Sequence, residues 1–247
     1  MDVGWLVPIV LVVALADAWR RFRRRQDRQR RLMLLCDAAG LELAPVDPFP
    51  DTTWLPFETF GHARSRSENV VWDPRHEGVR VFDYWFEDAT QERPVGGGTS
   101  LTCAAITVPF SCSRLRVAPH GLGDELGEAL GLHEVRLELE AFNRRFAVRA
   151  TDPRFAVAFL DPRMMEALLR LPEDGRVDLY DQVLLLWAPL LPAERVLLLL
   201  VAALAVHGSV PRVMSSLFPP RPPRGPHEAR WLQGGWSAEA TGSDREA

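Results

Sequence analysis

The stretch Glu68–Glu87, ENVVWDPRHEGVRVFDYWFE, is where the fold becomes readable. Two runs of valine, phenylalanine, tyrosine and tryptophan flank a turn-rich hexapeptide. β-Branched and aromatic side chains favour a pleated, half-buried surface. Asp73-Pro74 opens the turn and Gly78 closes it. The reading is a β-hairpin with strands Glu68–Trp72 and Val79–Glu87, which makes the sheet antiparallel.

Toward the C-terminus, the loop ATQERPVGGGTS leads to LTCAAITVPF and then RLRVAP. These read as two strands parted by Pro109, whose missing donor argues for an edge or a bend. HGLGDELGEALG, residues 120–131, reads as a short helix with Gly123, Gly127 and Gly131 on one face. HEVRLEL and RFAVRA resume the strands. The clearest local grammar is TDPRFAVAFLDPRMMEALLRLPEDG, residues 151–175. Asp152 and Asp161 are helix N-caps, and Pro153 and Pro162 occupy first helical positions, where a fixed φ and an absent N–H cost least. Two short helices, or one broken at Leu160, follow from that. Arg176–Tyr180 and Gln182–Trp187 read as a second hairpin. A last helix starts at Pro192, runs through AERVLLLLVAALAVHG and ends at a Gly208 cap.

The segment 183–206, VLLLWAPLLPAERVLLLLVAALAV, invites a membrane-spanning reading, but Pro189, Pro192, Glu194 and Arg195 sit at its middle. A mid-bilayer charge costs about 2.5–3.5 kcal/mol, against about −0.3 to −0.6 for each leucine or valine. A strand followed by a buried helix is the better division.

Toward the N-terminus, residues 41–67 form a proline-rich strap. Pro45, Pro48, Pro50 and Pro56 forbid a regular helix, and Phe49, Trp54, Phe57 and Phe60 supply apolar anchors. Residues 20–40 read as a basic juxtamembrane helix that Gly40 ends in the left-handed conformation. Before it, Val3–Ala16 is unbroken apolar sequence, and residues 1–19 read as a single transmembrane anchor. Trp5 and Trp19 mark its two ends, and Arg20, Arg21, Arg23, Arg24 and Arg25 follow at the membrane interface. Positive flanks stay in the cytoplasm, so the N-terminus is expected outside and the domain cytoplasmic, at the inner membrane. A cleaved signal peptide would carry its charge before the apolar run, not after it.

Charge supports this division. All 29 basic residues are arginine, isoleucine occurs only at Ile9 and Ile106, and net charge is −4. Residues 1–31 carry a surplus of five positive charges, eight arginines against three aspartates, so the remainder sums to −9. An acidic body with a basic end is not the footprint of a nucleic-acid binder. Three cysteines at irregular spacing make no disulfide framework. Residues 219–247, proline-rich at their start, read as a disordered tail.

Each candidate site has a plainer role. Cys103, Cys112 and His120 lack the close-pair spacing of zinc ligands. Gly121 and Gly123 lack the parallel strand–helix–strand context of a dinucleotide loop. Gly96, Gly97 and Gly98 have no following lysine and Ser/Thr. The histidines His62, His76, His133, His207 and His227 show no partner pattern for acid–base work, and Ser67 and Ser111 stand in no nucleophile elbow. Arg144, Arg145, Arg149 and Arg154 are the one local basic cluster of the body, a candidate patch for an anionic lipid or partner, with Arg145 and Arg149 on one strand face. No catalytic residue, cofactor or metal is expected.

FETFGHARSRSENVVW, VRVFDYWF and LEAFNRRFAVRATDPRFAVAFLDPRMMEALLRL resemble an uncharacterised domain family of bacterial membrane-anchored proteins, mainly from high-GC organisms. The resemblance covers about residues 32–210 and implies an antiparallel sheet with packed helices behind a membrane helix. It carries over no activity, ligand or site residue. The expectation is therefore an α+β fold, with an antiparallel sheet of about six to seven strands and two or three packed helices over residues 68–210, preceded by one transmembrane helix. The expected function is a membrane-tethered cytoplasmic interaction or scaffold module. Its partners would be the bilayer, through residues 3–19, and a protein held by the domain or the tail. The alternative is an enzyme acting on a lipid or envelope precursor at the inner leaflet.

Overall fold

A computed structural model of the chain describes residues 6–47, 55–57, 60, 64–76, 78–87, 98–120 and 131–223. Its elements are α1 (Leu6–Ala39), β1 (Glu42–Val46), β2 (Ser65–Trp72), β3 (Val79–Phe86), β4 (Thr99–Pro119), β5 (His133–Glu134), α2 (Glu140–Arg145), β6 (Phe146–Ala150), α3 (Pro153–Phe159), α4 (Pro162–Leu168), β7 (Arg176–Pro189), α5 (Ala193–Gly208) and α6 (Met214–Leu217). Among the described residues the fold is α+β, with one antiparallel sheet of seven strands and, after α1, more helices than the two or three expected. The extra ones, α2 and α6, are too short to leave a periodic signal.

The hairpin forms where expected, with Val71 opposite Val81 and Trp72 opposite Arg80. The strand path is β1-β2-β3-β4-β6-β5, and β7 pairs with β4. β4 is the spine. β3 takes one edge of its first half, from Thr99 to Ile106, and β6 takes the same edge of its second half, from Leu115 to Pro119. β7 lines the opposite edge throughout.

Two expectations fail at this spine. LTCAAITVPF and RLRVAP are not separate strands. β4 runs through Pro109, which falls after β3 has ended, before β6 begins, and inside a register shift against β7 between Thr107 and Cys112. Its missing N–H therefore costs no ladder bond. Likewise Arg176–Tyr180 and Gln182–Trp187 are not a hairpin, because both halves of β7 pair with β4. Asp181, at φ 62, is a bulge opposite Cys112 and not a turn. The ladder bends sharply there. Trp187 Nε1 donates to Asp178 Oδ2 at 2.7 Å, although nine extended residues would separate them by about 30 Å.

HEVRLEL is a third correction, since only His133 and Glu134 are strand. The alternation of Val135, Leu137 and Leu139 continues in the sequence, but Asn143 supplies a substitute partner. Its amide oxygen accepts from the Leu137 N–H at 3.3 Å and its amide nitrogen donates to the Leu137 carbonyl at 2.5 Å.

The helix starts in 151–175 form as read. Asp152 accepts from the Arg154 N–H at 2.9 Å and Asp161 from the Met164 N–H at 2.8 Å. Gly40, at φ 65, ends α1. Gly208 does not cap α5; it is the last helical residue, and Ser209 closes the helix in a right-handed conformation. The sequence from 183 to 206 divides at Pro189–Pro192 into β7 and α5, as expected. The helix expected at 120–131 lies outside the described residues, apart from its end residues.

The sheet is buried on both faces. On one, α1, α3, α4 and α5 cover it, with Leu32, Val81, Phe110, Phe155 and Leu199 among the buried side chains. On the other, Leu55, Phe57 and Phe60 of the strap pack against Phe82, Tyr84 and Leu185. Phe49 and Trp54 lie outside the described residues. The start of the expected disordered tail is docked. Within it Arg221 pairs with Asp181, and its carbonyl accepts from Gln182 Nε2 at 3.0 Å; just before it Phe218 meets Phe155 edge-on at 4.9 Å and its carbonyl accepts from the Ser111 N–H at 3.0 Å. Residues 224–247 lie outside the described residues.

Candidate functional site at the foot of the first helix

The anchor and the juxtamembrane helix of the sequence reading are one unbroken helix, α1, of 34 residues. From Val12 to Asp27 every residue of described exposure is exposed, except the half-buried Asp17. Val12, Val13 and Leu15 each stand more than 60% exposed. Trp19 is exposed too, with Arg23 over its ring at 5.1 Å and Phe22 beside it at 6.3 Å. Arg20, Arg24 and Arg25 are solvated on the same helix, and Arg21 is part of it. Trp5 lies outside the described residues. Among the described residues no helix is long and apolar enough to cross a membrane, taking 18 residues as the minimum length. In α1 the apolar run meets Asp17 and then the arginines before it reaches that length.

From Arg28 onward the same helix docks. Arg28 chelates Asp83 with both terminal nitrogens, and its Nε and Nη2 donate to the Leu191 carbonyl at 3.0 and 2.8 Å. Asp83 is buried in mid-strand, where a bare carboxylate would be costly. Asn69 Nδ2 donates to its Oδ2 at 2.9 Å and Thr102 Oγ1 to its Oδ1 at 3.0 Å. Burial pushes the Asp83 carboxyl up, against the pull of Arg28, Asn69 and Thr102. Thr102 in turn accepts from the Leu191 N–H at 3.0 Å. One buried carboxylate thus joins α1, β2, β3, β4 and the segment leading into α5. Asn69 reaches it from φ 54, at a bulge in β2 where asparagine tolerates the left-handed region better than most side chains.

Beside this network a cleft of about 290 Å³ opens between α1 and the sheet. Phe22, Arg25, Gln26 and Gln29 form its helical wall. Glu68, Asn69, Asp83, Trp85 and Ser100 line it from the sheet. The guanidinium of Arg66 stacks on the Trp85 ring at 4.4 Å. A Cβ on Gly98 would come within 2.3 Å of the same indole, so glycine there is what seats it.

The arginine patch read from the sequence is redistributed. Arg145 ends α2 instead of lying on a strand face with Arg149. It donates to the carbonyls of Leu169, Leu171 and Pro172 at 2.5–2.7 Å and lies over Phe146, where burial lowers its pKa. It is a structural clamp on the end of α4. Arg149 stands on β6 opposite Arg116 and Glu134, while Arg144 and Arg154 are exposed. Cys103 and Cys112 are buried on opposite faces of the sheet, and His120 bonds the Asn143 carbonyl at 2.7 Å. The network residues Arg28, Asn69, Asp83 and Thr102 were not singled out in the sequence. The signal available was an aspartate in the middle of an otherwise apolar strand, VRVFDYWF.

No family model matches the chain, and no curated protein does. Among solved structures, it is similar to the mycobacterial trehalose monomycolate transport factor A, TtfA, at TM-score 0.53 and 15% identity, over 78% of this chain and 97% of that one. The likeness is one of fold.

Proposed function

We propose that the chain is a membrane-tethered interaction or scaffold module of the bacterial inner membrane. In this reading the apolar end of α1 enters the bilayer as a single-pass anchor, with the N-terminus outside and the α+β domain cytoplasmic. The observation that carries it is the run of exposed apolar side chains on α1 between Val12 and Trp19, continuous with a half that docks on the sheet. No described residue covers Val12, Val13, Leu15 or Trp19, and exposing such a strip to water is unfavourable. The residues from Val3 to Trp19 would rise about 25 Å as a helix. That is short of a hydrocarbon core of about 30 Å, and local thinning or snorkelling flanks absorb a mismatch of this size at modest cost. Arg20–Arg25 then meet the cytoplasmic headgroups.

The fold shared with a protein named for trehalose monomycolate transport favours an envelope-associated role. The resemblance to a family of bacterial membrane-anchored proteins points the same way. Alkaline carbonate extraction tests the anchor. The full chain should stay in the pellet, and deleting residues 1–19 should release it. Release of the full chain would end this reading. Topology is read separately, by labelling a cysteine placed at Ser243 with a membrane-impermeant reagent. Labelling in intact cells would reverse the proposed orientation.

A further inference from the structure

We infer that the cleft at the foot of α1 binds the uncharged, polyhydroxylated headgroup of a glycolipid. The inference rests on the anchored reading for the depth of the cleft, and on the lining for its chemistry.

Depth comes first. With Trp19 at the interface and about 1.5 Å of rise per residue, Phe22 and Arg25 lie roughly 5–9 Å below it, and Gln29 roughly 15 Å. The headgroup layer of one leaflet is about 5–8 Å thick. The end of the cleft at Phe22 and Arg25 therefore lies at headgroup depth, and the end at Gln29 beyond it. At about 290 Å³ it is at the small end of ligand sites, which start near 300 Å³. A headgroup fits there, and its acyl chains remain in the bilayer.

The lining selects the headgroup. Two guanidiniums, Arg25 and Arg28, face two carboxylates, Glu68 and Asp83, so the wall is balanced in charge. Arg28 is committed to Asp83 and Leu191, and Glu68 to Arg66. A phosphate entering the cleft would meet carboxylates, and it would find no cluster of uncommitted cations. What the cleft offers instead is the primary amides of Gln26 and Gln29, with the amide oxygen of Asn69 and the hydroxyl of Ser100 beside them. Each glutamine amide presents a donor and an acceptor together, which matches neighbouring hydroxyls on a sugar ring. Phe22 and Trp85 add apolar ring surface for the C–H face of such a ring.

The test uses the full chain in dodecylphosphocholine micelles, titrated with dioctanoyl digalactosylglycerol and followed by tryptophan fluorescence. Saturable binding is expected, at least tenfold weaker in the Gln26→Ala/Gln29→Ala double variant with its melting temperature unchanged. Gly98→Ala, which displaces the Trp85 indole, should weaken binding without touching a polar group. Dioctanoyl phosphatidylglycerol should give no saturable change. Equal responses to the two lipids, or unaltered binding in both variants, would overturn the inference. Equal affinity for the free disaccharide would reassign the site to a soluble sugar and overturn the lipid source. The micelle titration does not depend on α1 crossing a bilayer, so failure of the anchor appears only in the carbonate extraction.

Discussion

Replacing Arg28 by alanine should be the most damaging single change to the docking of α1. The guanidinium and the carboxylate it chelates have side-chain exposures of 15% and 6%. Truncation leaves Asp83 in its buried position with Asn69 and Thr102 as its remaining donors, and leaves the Leu191 carbonyl without the Arg28 donors. Removing one partner of a buried pair costs about 3–5 kcal/mol, because the other charge stays buried and unpaired. In a chain of this size each kcal/mol lowers the melting temperature by about 2–4 °C, so the expected drop is roughly 6–20 °C. Circular dichroism melts of the full chain in detergent measure it. The same reasoning says that Arg28→Met combined with Asp83→Leu should recover at least half of the loss, since no stranded charge remains. A drop under about 2 °C for Arg28→Ala would refute the argument, as would a double variant no more stable than the single one.

Other outcomes follow from particular contacts. Asp152→Ala and Asp161→Ala should each cost about 0.5–2 kcal/mol in denaturant melts, as lost N-caps; the two substitutions should not affect lipid binding. Burial, and then nearby His76, hold the His207 imidazole below its ordinary value. The folded chain therefore resists a proton that the unfolded chain accepts, and stability should be full above about pH 6.5 and fall as the pH drops below it. His207→Gln should flatten that slope in melts taken between pH 7.5 and 5.5. Arg221→Ala removes the guanidinium paired with the buried Asp181 carboxylate at the β7 bulge and should cost about 1–3 kcal/mol. It should also open the chain near Pro219 to limited proteolysis, and unchanged protease resistance would count against the docked reading of that segment.

The features legible in the sequence were those whose cause is local. Asp-Pro at 152–153 and 161–162 starts helices because the cap and the ring act within one turn. Gly40 and the Asp73–Gly78 turn are equally self-contained. The failures all involve partners distant in sequence. Pro109 breaks a strand only if its N–H is wanted, and that depends on where β3 ends and β6 begins. Asp181 looks like a turn until both flanks are seen to pair with β4. HEVRLEL has the alternation of a strand, yet Asn143 captures its backbone. The site shows the same limit. In the sequence Arg28 is one arginine of a topology signal, and nothing nearby distinguishes it from Arg24 or Arg25. Its role appears only when β3, 55 residues on, places Asp83 beneath it. The strand face expected to join Arg145 and Arg149 fails for the same reason, because the carbonyls of Leu169, Leu171 and Pro172 that hold Arg145 at the end of α2 lie more than 20 residues on.

The unbroken course of α1 has a geometric corollary. No hinge is present between its projecting half and the half clamped by Arg28, so whatever holds Trp19 also sets the azimuth of the sheet. Inserting one residue between Trp19 and Arg28 would swing the domain by about 100° around the helix axis while lifting it only about 1.5 Å. Inserting seven would lift it about 10 Å yet return it close to its starting heading. The chain behaves as a keyed shaft, and the register of that segment matters more than its length.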